Sequence, residues 1–219
     1  LCRMRIQIGP DRTVVLKLPL RQSEAGARRF LRENAAWVTD TLAAQPMVPP
    51  LRDYLARHPR LSLNGNWHRL ELAFDPAGGR YRIEPAERRV RCFLDPCTDA
   101  EVQVRSLLMR IAGDCLPARL RLLAGKTGTR VHGVTIRDQK SRWGSCSETG
   151  GISLNWRLIL LPPALQDHVL LHELAHLQHF DHSPDFHSFL ATLDPRARDN
   201  ARLLATIGAP IFSLGRTQR

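Results

Sequence analysis

Apolar and polar residues alternate from Met4 to Leu18, and the alternation breaks at Gly9-Pro10-Asp11, which predicts a hairpin. From Ser23 to about residue 44 the period lengthens. Phe30, Leu31, Asn34, Val38 and Leu42 fall near one helical face, with Ser23 as the cap. Pro46, Pro49 and Pro50 end that helix, and residues 51–57 predict a short second one. Strand alternation then returns. Residues 61–63 meet the turn pair Asn64-Gly65, and Trp67, Leu70, Leu72 and Phe74 follow. A turn at Pro76-Ala77-Gly78-Gly79 leads to strands at 80–84 and near 90–93, together a small antiparallel sheet with one buried face.

The character changes at Leu94-Asp95-Pro96. Thr98-Asp99-Ala100-Glu101 reads as a capping box opening a helix through Val102, Leu107, Leu108 and Ile111. Pro117 is expected to kink or restart it, and Gly125 to close it near Leu123. Strands follow at 131–137 and 151–158, joined by the polar loop 138–150. Pro162-Pro163 then starts a helix reaching about His179, and two capped helices come after it. The expected organisation is α+β: a β-rich N-terminal half with one helix over 1–97, a helix-rich unit around a small sheet over 98–209, and a frayed basic tail over 210–219.

Composition narrows the picture. The 219 residues carry a net charge of +11, and of 32 basic residues only three are Lys. Such a surplus attracts polyanions, so nucleic acid or nucleotide is a candidate partner, although the arginines are scattered rather than clustered. No apolar run approaches the ~20 residues a bilayer span needs, and the opening LCRMRIQIGP has no signal-peptide core. Five cysteines, with no CxxC pair, suggest reduced thiols and a cytoplasmic setting rather than a disulfide framework. Cys92 and Cys97 are close, but no second pair follows to complete a structural zinc site.

The candidate chemistry lies in His172-Glu173-Leu174-Ala175-His176. Val169, Leu170, Leu171 and Leu174 make its context helical, and histidines four apart share one face, so both imidazoles can reach a single ion. Glu173 is one position on, about 100° around the helix, where it can reach a water on that ion without ligating it. A third ligand is expected, leaving one position open. His179 shares the face but lies ~10.5 Å along the axis from His172, too far for one tetrahedral ion. His182 sits at the corner where Asp181 ends one helix and Ser183-Pro184-Asp185 starts the next, so its side chain can point back. His187, one turn into that next helix, is the fallback. In the loop, Lys140 and Arg142 could orient a carboxylate or phosphate, or the loop could simply brace its strands.

Residues 136–147 (IRDQKSRWGSCS), the stretch Leu154-Asn155-Trp156-Arg157-Leu158 and the string HELAHLQHFDHSPDF from His172 resemble the YgjP-like metallopeptidase family. The order and spacing match across about 131–190, and the β-rich N-terminal half also looks like that family's. The family is similar to SprT-like zincins, in which a histidine followed by a small residue ends the ligand set, as His182-Ser183 would here. The resemblance implies a zincin-like fold with a metal-binding helix and small sheet. It further implies peptide binding along the edge of the 151–158 strand, with Asn155 and Arg157 as further candidate substrate contacts. One departure is His187, where relatives tend to carry Trp after the Phe, and that departure makes His187 a candidate substrate contact as well.

The expectation is a zinc-dependent metallohydrolase with one Zn2+ per chain held by His172, His176 and His182, and Glu173 as general base. A peptidase acting on peptide or protein substrates comes first. The alternatives are a metal-dependent nucleotide pyrophosphohydrolase, using Lys140 and Arg142 on phosphates, and a nucleic-acid-associated SprT-like protease. Against the former, nucleotide hydrolases commonly use carboxylate-bound magnesium, and no dense Asp/Glu cluster occurs in the chain.

Overall fold

A computed structural model describes residues 4–9, 12–20, 22–44 and 48–216. The chain divides into two compact units, Leu1–Pro49 with Ser213–Arg219, and Pro50–Phe212. The break expected at 97/98 therefore lies inside the larger unit. In the smaller one, β1 (Arg5–Ile8) pairs antiparallel with β2 (Val14–Lys17). Of their expected turn, Pro10 and Asp11 lie outside the described residues, as do Cys2 and Pro46.

Ser23 caps α1 (Glu24–Glu33), its hydroxyl accepting from the Gly26 N–H. The helix expected to reach residue 44 is interrupted and resumes as α2 (Ala35–Ala44). At the break the Asn34 amide donates to the Phe30 carbonyl (2.8 Å), a local bond that competes with helical pairing.

The larger unit opens with α3 (Leu51–Arg57) and a four-stranded sheet: β3 (Arg60–Leu63), β4 (Asn66–Phe74), β5 (Arg80–Glu84) and β6 (Arg89–Leu94). Its order is β3-β4-β6-β5, and β4 and β6 run parallel, so the sheet is mixed and not purely antiparallel. β5 swings outward and β6 takes the place beside β4. This buries Val90, Cys92 and Leu94 on one face, while Arg89 and Arg91 on the other meet Glu84 and Glu71.

α4 (Ala100–Thr127) is capped by Asp99, which accepts from the N–H groups of Glu101 and Val102. Glu101 does not complete the expected capping box. Its carboxylate turns to the N-terminal N–H groups of α3, at Leu51 and Arg52. The helix continues through Pro117 and Gly125 and closes at Gly128, which adopts the left-handed conformation (φ 69°) that ends it.

A second sheet contains β7 (Gly133–Arg137), β8 (Gly144–Cys146) and β9 (Gly151–Asn155) in the order β7-β9-β8. β9 is thus the central strand, parallel to β7 and antiparallel to β8. The strand expected to reach Leu158 stops at Asn155, whose side chain accepts from the Arg157 N–H and starts a 3-10 turn, Trp156–Leu160. All five turn side chains are buried, so Trp156 and Leu158 do not continue a strand alternation.

α5 (Pro163–Ala175) follows, then α6 (Pro184–Leu193) and α7 (Ala197–Ser213). α7 continues through Pro210, where a frayed tail was expected; 217–219 lie outside the described residues. The buried face of α5, with Leu165, Leu170 and Leu174, belongs to the same core as Leu107, Ile111 and Leu116 of α4. Each such leucine contributes about 1.5–3 kcal/mol. Gln166 donates to the Ser62 carbonyl (2.9 Å) and the Leu158 carbonyl (3.0 Å), fastening α5 to β3 and to the 3-10 turn. Among the described residues no helix is long and apolar enough to cross a membrane.

Candidate metal centre

The last turn of α5 carries His172, and His176 caps its end. The helix stops at Ala175, short of the expected His179, and the chain turns back through Asp181 to Ser183. The Ser183 hydroxyl accepts from the Phe186 N–H to start α6. That reversal brings His182 over the first two histidines. The Nε2 of His172 is 3.2 Å from that of His176 and 3.3 Å from that of His182. Two nitrogens bound to one tetrahedral ion at ~2.0–2.1 Å stand about 3.3 Å apart. Among the described residues these three are the one group of His, Cys, Asp or Glu that could share an ion.

Two further observations fit a metal. The Nδ1–H of His176 donates to the His179 carbonyl (2.9 Å), which leaves its Nε2 lone pair facing the cluster. Burial, followed by the neighbouring His176 and His182, pushes His172 down to about 4, so its imidazole is neutral near pH 7. Phe186, fully buried, stacks on the His176 ring at 4.5 Å and meets His172 and His182 edge-on at 5.0 and 4.9 Å. It orients all three rings.

Glu173 follows His172 on α5, lines the same cavity and is 5% exposed. Burial raises its carboxyl to about 7, against the opposing pull of Arg142, and its Oε2 has no hydrogen-bond partner. β8 covers it. A Cβ at Gly144 would stand 2.5 Å from Oε1 and 2.6 Å from Cγ, so only glycine lets strand and carboxyl approach this closely. Beside them lies a cavity of about 420 Å³ lined by Arg142, Trp143, Val169, His172, Glu173 and Leu204, among others.

The other expected site residues part company here. Arg142 is exposed and borders that cavity; Lys140 is exposed and does not line it. Asn155 and Arg157 are fully buried and engaged inside the protein. The Asn155 amide donates to the Gln139 carbonyl, its backbone N–H to the Trp143 carbonyl, and Arg157 pairs with Asp138 while lying over the Trp156 ring. Both side chains brace the loop from inside the protein. His187 is exposed, its ring 6.4 Å from that of His182 and outside the three-histidine group. His179 contributes its carbonyl, not its ring.

Two participants, Phe186 and His168, were not singled out from the sequence. Phe186 carried no signal beyond being apolar. His168 stands one turn before His172, a spacing that was legible. Its Nδ1 meets the buried Asp194 carboxylate at 2.7 Å, which also accepts from the Asn200 amide and the Arg196 N–H.

A family model described as YgjP-like, metallopeptidase domain, matches residues 2–206. No curated protein matches the chain. A similar solved structure is the crystal structure of the metallopeptidase zymogen of Pyrococcus abyssi abylysin. It is 26% identical, covering 41% of this chain and 91% of that one, with a TM-score of 0.37.

Proposed function

The chain belongs to the YgjP-like metallopeptidase family, and from that premise we propose a zincin-like, zinc-dependent peptidase in which His172, His176 and His182 hold one zinc ion and Glu173 is the general base. The observation that carries this reading is the group of three imidazoles, with the His176 and His182 nitrogens 3.2 and 3.3 Å from that of His172, close to a buried carboxyl whose Oε2 is without a hydrogen bond. Zinc held there supplies Lewis acidity toward a carbonyl and makes water acidic near neutral pH. Glu173 takes the proton from the attacking water and passes it to the departing amine. A carboxyl raised to about 7 suits both halves of that transfer. Arg157, buried and paired, is not placed to meet an oxyanion, which leaves Arg142 and His187 as exposed donors.

Because β9 is paired on both sides, a substrate strand would add instead to β8, the edge strand over Glu173. The test is a turnover screen of the zinc-loaded protein with peptides, protein–DNA crosslinks and nucleoside triphosphates. Peptide cleavage that chelation abolishes and zinc restores is the expected result. Triphosphate hydrolysis without peptide cleavage would overturn the reading.

A further inference from the structure

A second cavity, about 970 Å³, adjoins the first, and His168, His172 and Ala201 line both spaces. The two differ in chemistry. The first has Trp143, Val169 and Leu204 as apolar walls with one arginine, Arg142, whereas three arginines, Arg196, Arg198 and Arg202, line the second along with His187. All three arginines are exposed, and none forms an ion pair among the described residues. Arg80, Arg89 and Arg91 of the first sheet, in contrast, meet Asp75, Glu84 or Glu71. Of the two aspartates at the second cavity, Asp194 is buried and committed to His168 and Asn200, so Asp199 alone offsets the three positive charges.

We propose that this arginine-lined cavity is a subsite for acidic side chains of the substrate, on the His187 side of the scissile bond. The proposal rests on the peptidase reading and names its substrate class: a peptide with an apolar residue on one side of the cleaved bond and Glu or Asp on the other. Guanidinium groups suit carboxylates because their paired N–H donors match both oxygens. A peptide is favoured over nucleic acid because Arg196, Arg198 and Arg202 lie around one recess that opens onto His172. That recess has room for a few extended residues, not a track along a phosphate backbone.

The test uses the full-length, zinc-loaded protein and two labelled peptides of identical apolar sequence, one ending in three Glu and the other in three Gln. Binding is measured by anisotropy with Glu173→Gln protein, and turnover with wild type. The Glu peptide should bind about tenfold more tightly, the sum of a few exposed ion pairs, and the advantage should shrink in high salt. The double variant Arg196→Gln, Arg202→Gln should erase the difference while leaving zinc content and Gln-peptide binding unchanged. Equal binding of the two peptides, or a preference that survives the double variant, would overturn the subsite. A short single-stranded oligonucleotide that binds more tightly than the Glu peptide and is lost in the same variant would overturn it in favour of nucleic acid. Arginine-dependent binding without turnover of any peptide would instead sink the peptidase reading and leave the subsite standing.

Discussion

Two carboxyl groups, Asp138 and Glu173, sit about the loop 138–146 and differ in their partners and in their acidity. Asp138 meets Arg105, Arg157 and the Trp156 indole N–H. Burial alone would raise its carboxyl, but the two guanidiniums more than offset that and hold it below the usual carboxylate value. Glu173 is more deeply buried, no hydrogen bond reaches its Oε2, and burial lifts it to about 7. A fully partnered acid is fixed as an anion and holds structure together. One that is buried and left partly unsatisfied stands ready to exchange a proton.

The largest effect expected is at the histidines beside Glu173. His182→Ala should lose most of the zinc and reduce turnover to background, while His179→Ala, which keeps the carbonyl that orients His176, should retain both. Metal analysis of the two purified variants checks this, and the reverse outcome would break the ligand assignment.

Next comes the covering strand. Gly144→Ala would press a methyl group against Glu173, and a displacement of that kind should lower turnover about a hundredfold with zinc retained. Unchanged turnover would show that the close approach is incidental.

Asp138→Asn sharpens the other side of the comparison, since it leaves Arg157 buried without its anion. Stability should fall by about 3 kcal/mol, seen as a lower urea midpoint at unchanged slope, while zinc affinity stays intact. The sign with pH follows from the lowered value. The contribution of Asp138 is full above its unfolded pKa of 3.8 and is lost as pH falls through the lower folded value. Wild type and variant should therefore converge only in acid.

The smallest effect concerns the chain between the two sheets. A single proteolytic cut at 94–97 should leave both pieces associated, because Gln166 still holds the Ser62 carbonyl and Glu101 the start of α3. A stable, zinc-loaded 98–209 fragment recovered alone would restore the boundary read from the sequence.

Much of this site was legible because its signals are local. The four-residue spacing of His172 and His176, the turn residues around Asp181 and the Ser183-Pro184 start of α6 all act within a few positions. Elements set by distant partners were not legible. β6 pairs parallel with β4 because β5 moves aside, which no run of alternating residues reveals. β9 ends at Asn155 because its side chain caps a 3-10 turn, although the apolar alternation continues to Leu158. Arg157 was read as a substrate contact from the family resemblance of the 154–158 stretch. Its burial against Trp156 and Asp138 depends on a partner 19 residues away. Phe186 had the same difficulty: its packing on three rings follows from the chain reversal, not from its own neighbours in sequence.

The contrast between the two acids is tested most directly by measuring zinc content and peptide turnover on one preparation of Glu173→Gln. Glutamine keeps the shape and hydrogen-bonding reach of the side chain but cannot accept the proton. The protein should fold, keep one zinc per chain and lose roughly 10²–10⁴ in rate, the usual worth of general acid–base catalysis. Near-wild-type turnover with full zinc would contradict the account, and loss of zinc together with activity would make Glu173 part of the metal's hold.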